Sequence, residues 1–211
     1  MQEDWLKRWE EGRIGFHRDS VHPTLVRHWP TLGVAPGSKV LVPMCGKSLD
    51  MRWLAEKQHP VLGIELSMLA LEQFVSEGSG DVARYQHTGF SVMRQGNIEL
   101  WCGDFFHFHI QQAAEVGAFY DRAALIALPE ATRQRYAFHM AQLVPPGTPG
   151  LLISLARPEP HGPPFNVTPD EVQRLFAPNF TITHLGDGEV EPNGFQESAW
   201  ALVRRGPIES R

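Results

Sequence analysis

The stretch Val40-Leu-Val-Pro-Met-Cys-Gly-Lys-Ser-Leu-Asp50 reads as a short apolar strand that enters a glycine turn and leaves it as a helix. Its Gly46-Lys47-Ser48 triplet looks like the end of a phosphate-binding loop. Such a loop needs a second glycine five residues earlier, so that an arc of backbone N–H groups can wrap a phosphate without Cβ obstruction. That position is Leu41. A dinucleotide turn fails as well, because Gly-x-Gly-x-x-Gly is required and here one glycine stands among Met44, Cys45 and Lys47. Lys47 and Ser48 therefore read as the start of a helix.

Working outward from this turn, strand and helix patterns alternate. The pattern predicts strand 39–43, helix 48–58, strand 61–65 and a helix over 67–77 capped by Ser67. Alternation of this kind specifies a parallel sheet with helices on its faces. Phe90 to Arg94 and Ile98 to Cys102 flank Gln-Gly-Asn, a hairpin signal at an edge. Further on come a strand over 118–121, a helix over 129–143 with Pro129 in its first turn, a strand over 151–155, and a helix from Thr168. Two late strands, about 180–185 and 198–204, close the chain. Ahead of the alternating part, Trp5, Leu6 and Trp9 form the apolar stripe of one helix, and Val21 to Trp29 form a second with Ser20 as its cap. Residues 1–35 thus read as a helical cover, and 1–211 as one domain.

At 211 residues, 42% hydrophobic, the chain has enough apolar material for one core. The 19 Lys+Arg against 24 Asp+Glu give a net charge of -5, which offers no electrostatic reason for nucleic-acid binding. No apolar window reaches the length of a membrane span, and the N-terminal residues lack a leader pattern. Two cysteines, Cys45 and Cys102, suit a reducing cytoplasm rather than a disulfide framework. A small molecule is the expected partner and a monomer the default state.

Open parallel sheets bind ligands beyond the carboxyl ends of their strands. Glu65 ends the second strand, nineteen residues past Gly46, where its two oxygens can accept from both hydroxyls of a ribose. It reads equally as a strand-end carboxylate paired with a lysine. With no pyrophosphate cradle, a nucleoside lacking phosphates fits best, and S-adenosylmethionine is such a ligand. Arg122 follows another strand end, with Asp121 beside it as an alternative ion-pair partner. Phe16 lies in a glycine-bearing loop, where an aromatic ring covers a ligand or docks on the core. His107 and His109 alternate as on a strand; two ligands without a third make no metal site.

The run Trp5…Trp9-Glu-Glu-Gly-Arg-Ile-Gly-Phe16-His17, then Val-Pro-Met-Cys-Gly-Lys-Ser-Leu-Asp-Met-Arg-Trp, Gly-Ile-Glu-Leu-Ser, Asp121-Arg122-Ala-Ala-Leu and His161-Gly-Pro-Pro-Phe165 resembles the thiopurine S-methyltransferase family, in order and nearly end to end. The resemblance implies a Rossmann-like class I methyltransferase fold, α/β, with a seven-stranded, mostly parallel sheet, an antiparallel last strand and helices on both faces. It implies S-adenosylmethionine as cofactor, with no metal, and methyl transfer to the sulfur of aromatic or heterocyclic thiols. Carried across, Trp5, Trp9, Met44, Glu65, Gly103, Asp104 and Arg122 hold the cofactor. Phe16, Arg122, His161 and Pro163 meet the substrate, Arg122 being the catalytic candidate. One departure stands: some relatives bring a second arginine from the region before the final strand, whereas no arginine lies between Arg174 and Arg204 here. Other thiols, selenium or tellurium species, or cofactor binding without catalysis remain alternative roles.

Overall fold

The computed structural model describes residues 2–207, without the side chain of Glu3; the ends of the expected 1–211 span lie outside them. In chain order the elements are α1 (Gln2–Glu10), α2 (Pro23–His28), β1 (Lys39–Pro43), α3 (Asp50–Glu56), β2 (Val61–Glu65), α4 (Met68–Glu77), β3 (Val82–His87), β4 (Phe90–Gln95), β5 (Ile98–Cys102), β6 (Val116–Arg122), α5 (Glu130–Leu143), β7 (Pro149–Ala156), α6 (Pro169–Phe176), β8 (Phe180–Asp187) and β9 (Gln196–Arg204). Among the described residues the strands form one sheet in the order β3-β4-β5-β2-β1-β6-β7-β9-β8. The expected seven strands become nine, because a hairpin of β3 and β4 extends the edge beyond β5 through antiparallel pairing. β1, β2, β5, β6 and β7 run parallel, and β9 pairs antiparallel with β7, as expected for the last strand.

Alternation along the strands splits the core between the two faces of the sheet. Leu41, Leu62, Phe119 and Leu152 point toward Tyr136 and Met140 of α5 and Phe176 of α6. Val40, Val42, Ala118 and Ile153 point the other way, toward Met51 and Leu54 of α3 and Leu71 and Phe74 of α4. Burying a large apolar side chain contributes about 1.5–3 kcal/mol, so both faces are fixed and the strand ends between them are held in register.

Local signals explain most of the elements. Ser67 Oγ accepts from the Ala70 N–H and caps α4 as expected. Thr168 Oγ1 accepts from the Glu171 N–H and caps α6. Three expectations are corrected. Ser20 does not cap α2; the ring of His22 does, its Nδ1 accepting from the Thr24 N–H. Pro129 is the cap of α5 rather than a residue of its first turn. His107 ends a 3-10 turn over Phe105–His107 instead of lying on a strand with His109, because Asp104 Oδ1 accepts the Phe106 N–H and starts that turn.

Candidate active site

The β1 turn sets the site. Met44 and Gly46 both adopt left-handed backbone, at φ 48 and 54. That conformation is strained for methionine and natural for glycine, and such residues collect at functional sites. It turns the Gly46 N–H onto Glu65, whose Oε2 accepts it at 2.9 Å. The other oxygen, Oε1, accepts from the Ser67 N–H at 2.9 Å, and the Glu65 carbonyl accepts from Gly103 N at 2.9 Å. One residue thus ties together the ends of β1, β2 and β5. Each carboxylate oxygen keeps a second lone pair, so the group can still take hydroxyl donors from a ligand. Burial pushes the Glu65 carboxyl up, opposed by the N–H groups of Ser67, Gly46 and Leu66. No lysine pairs with it among the described residues; Lys47 is bound to Glu77 at 2.7 Å, which also removes it as a phosphate grip.

Around these strand ends lies a cavity of about 720 Å³, inside the range typical of small-molecule sites. Trp5, Trp9, Phe16, Met44, Glu65, Asp104, Arg122 and Pro163 all line it. α1 and the loop behind it form the cover: Phe16 meets Trp5 and Trp9 edge-on at ring-centroid distances of 5.8 and 5.6 Å. Trp9 is buried and packs over the β1 turn, so a Cβ on Gly46 would lie 3.2 Å from its ring. Arg122 Nη1 donates to the Phe16 carbonyl at 2.6 Å, clamping the loop to the end of β6. Gln2 Nε2 donates to Asp104 Oδ2 at 2.7 Å, fastening α1 to the end of β5.

Two expected site residues stand off the wall. Gly103 does not line the cavity; it is needed for close approach, since a Cβ there would fall 2.5 Å from the Phe90 ring. His161 is exposed, while Pro163 and Pro164 turn inward from the same loop. Asp121 does not pair with Arg122. It is buried, its Oδ1 accepts from the Ala124 and Leu125 N–H groups, and its Oδ2 accepts from Tyr136 at 2.6 Å. Burial pushes its carboxyl up to about 6.

Other residues reach the cavity that the sequence reading did not assign. Phe106, Ile126 and Leu128 give it an apolar wall near Asp104, and the Arg135 guanidinium stacks 4.2 Å above the Phe106 ring. His17 lines the cavity too, and burial followed by the Lys47 charge lowers its pKa. Arg18 brings a second arginine to the cavity from the N-terminal part of the chain, and its buried Nε has no hydrogen-bond partner among the described residues. Phe195 and Glu197 enter from the start of β9. A signal for the last pair existed in principle: an antiparallel final strand begins where the parallel strands end.

The arrangement fits an adenosyl ligand with a charged amino-acid tail. Glu65 presents two acceptors, the wall beside Asp104 is apolar, and aromatic rings cover the opening. Among the described residues there is no group of three or more His, Cys, Asp or Glu side chains able to hold a metal ion. No helix among them is long and apolar enough to cross a membrane.

The fold recurs in known proteins. The Burkholderia thailandensis 1,6-didemethyltoxoflavin-N1-methyltransferase, solved with bound S-adenosylhomocysteine, is similar at TM-score 0.67 and 14% identity, covering 97% of this chain and 87% of that one. An S-adenosylmethionine-dependent methyltransferase of Anabaena variabilis matches at TM-score 0.67 and 18% identity over 97% and 95% of the two chains. These show the class I methyltransferase fold. In sequence, a thiopurine S-methyltransferase of Pseudomonas fluorescens is 52% identical over 83% of this chain and 81% of its own length. One of Azotobacter vinelandii is 44% identical over 98% and 94%. The family description Thiopurine S-methyltransferase (TPMT) matches residues 1–206, and the chain belongs to that family.

Proposed function

We propose that the protein transfers the methyl group of S-adenosylmethionine to the sulfur of small aromatic or heterocyclic thiols; its relatives are named for thiopurines. The observation that carries this reading is the continuity of one cavity. It is lined by Glu65 and Asp104 at one end and by Phe16, Arg122 and Pro163 toward the other. Glu65 and Asp104 would take the adenosine hydroxyls and base, with Trp5, Trp9 and Met44 around the methionine part. When bound, S-adenosylmethionine supplies a methyl group already activated by its sulfonium.

The chain's own work is then alignment and electrostatics. Phe16 and the paired prolines 163 and 164 hold a flat substrate and exclude water, which gives a soft sulfur nucleophile a fixed approach. Arg122 is clamped by the Phe16 carbonyl. It offers positive charge to a thiolate but cannot act as a base. Cys45 and Cys102 carry free thiols, which fits a reducing cytoplasm. The test is incubation of the purified protein with methyl-labelled S-adenosylmethionine and 6-mercaptopurine, a thiophenol, and their oxygen analogues. Label should reach the sulfur compounds alone. Tight binding of adenosylhomocysteine with no transfer to any thiol would refute the reading.

A further inference from the structure

Glu197 lines the cavity from the start of β9 and is held there by a buried partner. Its Oε2 accepts from His22 Nε2 at 2.7 Å. His22 Nδ1 accepts from the Thr24 N–H at 3.1 Å, so the ring proton sits on Nε2 and points at the carboxylate. The His22 backbone N–H is in turn fixed by Asp50 Oδ1 at 2.8 Å, and Asp50 Oδ2 accepts from Tyr120 at 2.8 Å. A buried chain from the middle of the sheet therefore aims one side chain into the cavity. At its end, Glu197 Oε1 receives no hydrogen bond among the described residues, and the side chain keeps 25% exposure on the cavity wall. Burial alone would raise the Glu197 pKa. The His22 hydrogen bond and the Arg122 and Arg18 charges outweigh burial and hold it below the usual carboxylate range.

A fixed anionic acceptor beside a methyl-transfer site has no use for a simple thiolate, which brings only negative charge. It suits a substrate that carries an N–H. Resting on the thiol reading above, we propose that Glu197 Oε1 is the hydrogen-bond and proton acceptor for the ring N–H of heterocyclic thiones. In such rings the N–H lies next to the C=S carbon, and the neutral thione is the species bound. The balance is complete. The thione sulfur forms the new S–C bond as the sulfonium C–S bond breaks and leaves its electron pair on the departing sulfur. The ring N–H bond pair becomes the ring C=N bond, the C=S becomes C–S–CH3, and the proton passes to Glu197 and then to water. Methylation at sulfur makes that N–H far more acidic, so a carboxylate of low basicity suffices. His22 acts as a positioning residue through Glu197.

The test compares a thione bearing the N–H, the same ring methylated on nitrogen, and a thiophenol. With the wild type saturated with adenosylhomocysteine, calorimetry should show the N–H thione binding roughly ten- to a hundred-fold more tightly than its N-methyl analogue, the range of one hydrogen bond to a charged group. Glu197→Gln should lower the thione-to-thiophenol ratio of kcat/KM by a similar factor, with adenosylhomocysteine affinity unchanged. Equal binding of the two thiones to the wild type overturns the proposal without any variant, as does an unchanged ratio in a folded Glu197→Gln. A wild type that methylates neither thiones nor thiophenols would instead sink the thiol reading itself.

Discussion

Changing Glu65 separates two functions of one side chain. Its oxygens each accept a backbone N–H at 2.9 Å, from Gly46 and from Ser67. Glu65→Ala strands both donors in a buried place, at about 1–3 kcal/mol each, a large fraction of the about 5–15 kcal/mol that holds a domain folded. Loss of binding in that variant could simply be loss of the turn. Glu65→Gln keeps one acceptor and sets its amide against one N–H, so its folding cost is about half, near 1–3 kcal/mol. Toward a ribose it loses a charge-assisted bond worth about 1.5–3 kcal/mol, or roughly ten- to a hundred-fold in Kd. The assay is calorimetry with adenosylhomocysteine, alongside urea unfolding of the same sample to confirm that the variant is folded. Since burial raises the Glu65 pKa, wild-type affinity should also fall on acidification, and the Gln variant should lack that step. A folded Gln variant with the wild-type Kd would remove Glu65 from the ligand's reach and refute the reasoning.

Gly46→Ala puts a side chain at a left-handed residue and 3.2 Å from the Trp9 ring. It should destabilise by about 1–2 kcal/mol and shift tryptophan emission; an unchanged midpoint and spectrum would show that the cover does not rest on this turn. For Asp121, the folded pKa of about 6 stands above the ordinary 3.8. Its contribution is therefore present below pH 3.8 and lost as pH rises through about 6, in total about 3 kcal/mol. Urea unfolding between these pH values should show that slope in the wild type and not in Asp121→Asn; parallel profiles would count against it. Burial pushes Cys102 up to about 11, with Glu65 adding to it, and pushes Cys45 well above the ordinary thiol range. An alkylating reagent at neutral pH should label both slowly in the native protein and rapidly in denaturant. Rapid native labelling of either would contradict the burial.

The cofactor end of the site was legible in the sequence because it is local. Met44, Gly46 and Glu65 stand at the ends of two adjacent parallel strands whose apolar runs and glycine turn are visible in one window of residues. β3 was not legible, since almost all of Val82–His87 is exposed and no alternation marks it. His22 was hidden because a histidine ring, rather than the serine two residues before it, caps α2. Glu197 carried no signal of its own; its meeting with residue 22 depends on β9 running antiparallel, which is a property of the whole sheet. His161 was assigned through resemblance, and only its proline neighbours reach the cavity.

The two ends of the cavity are also built differently, and this has a consequence for specificity. The cofactor end hangs on Glu65, which binds Gly46 and Ser67 through its side chain and Gly103 through its carbonyl, so a change at any of these disturbs three strand ends together. The acceptor end is assembled from segments that meet beyond the carboxyl ends of the parallel strands: the loop carrying Phe16 and Arg18, the proline loop after β7, and the entry to β9. They are tied to the scaffold and to one another by bonds that do not involve Glu65: Arg122 to the Phe16 carbonyl, the Phe165 N–H to the Ile126 carbonyl at 2.7 Å, and His22 to Glu197. Loops fastened apart from the Glu65 hub can change without moving the strand ends. Arg18→Ala, which removes a cavity-lining guanidinium whose Nε has no partner among the described residues, should therefore alter the ranking of thiol substrates and leave adenosylhomocysteine binding as it was. If instead cofactor affinity fell and the ranking held, the division of the cavity into a rigid nucleoside end and an adjustable acceptor end would be wrong.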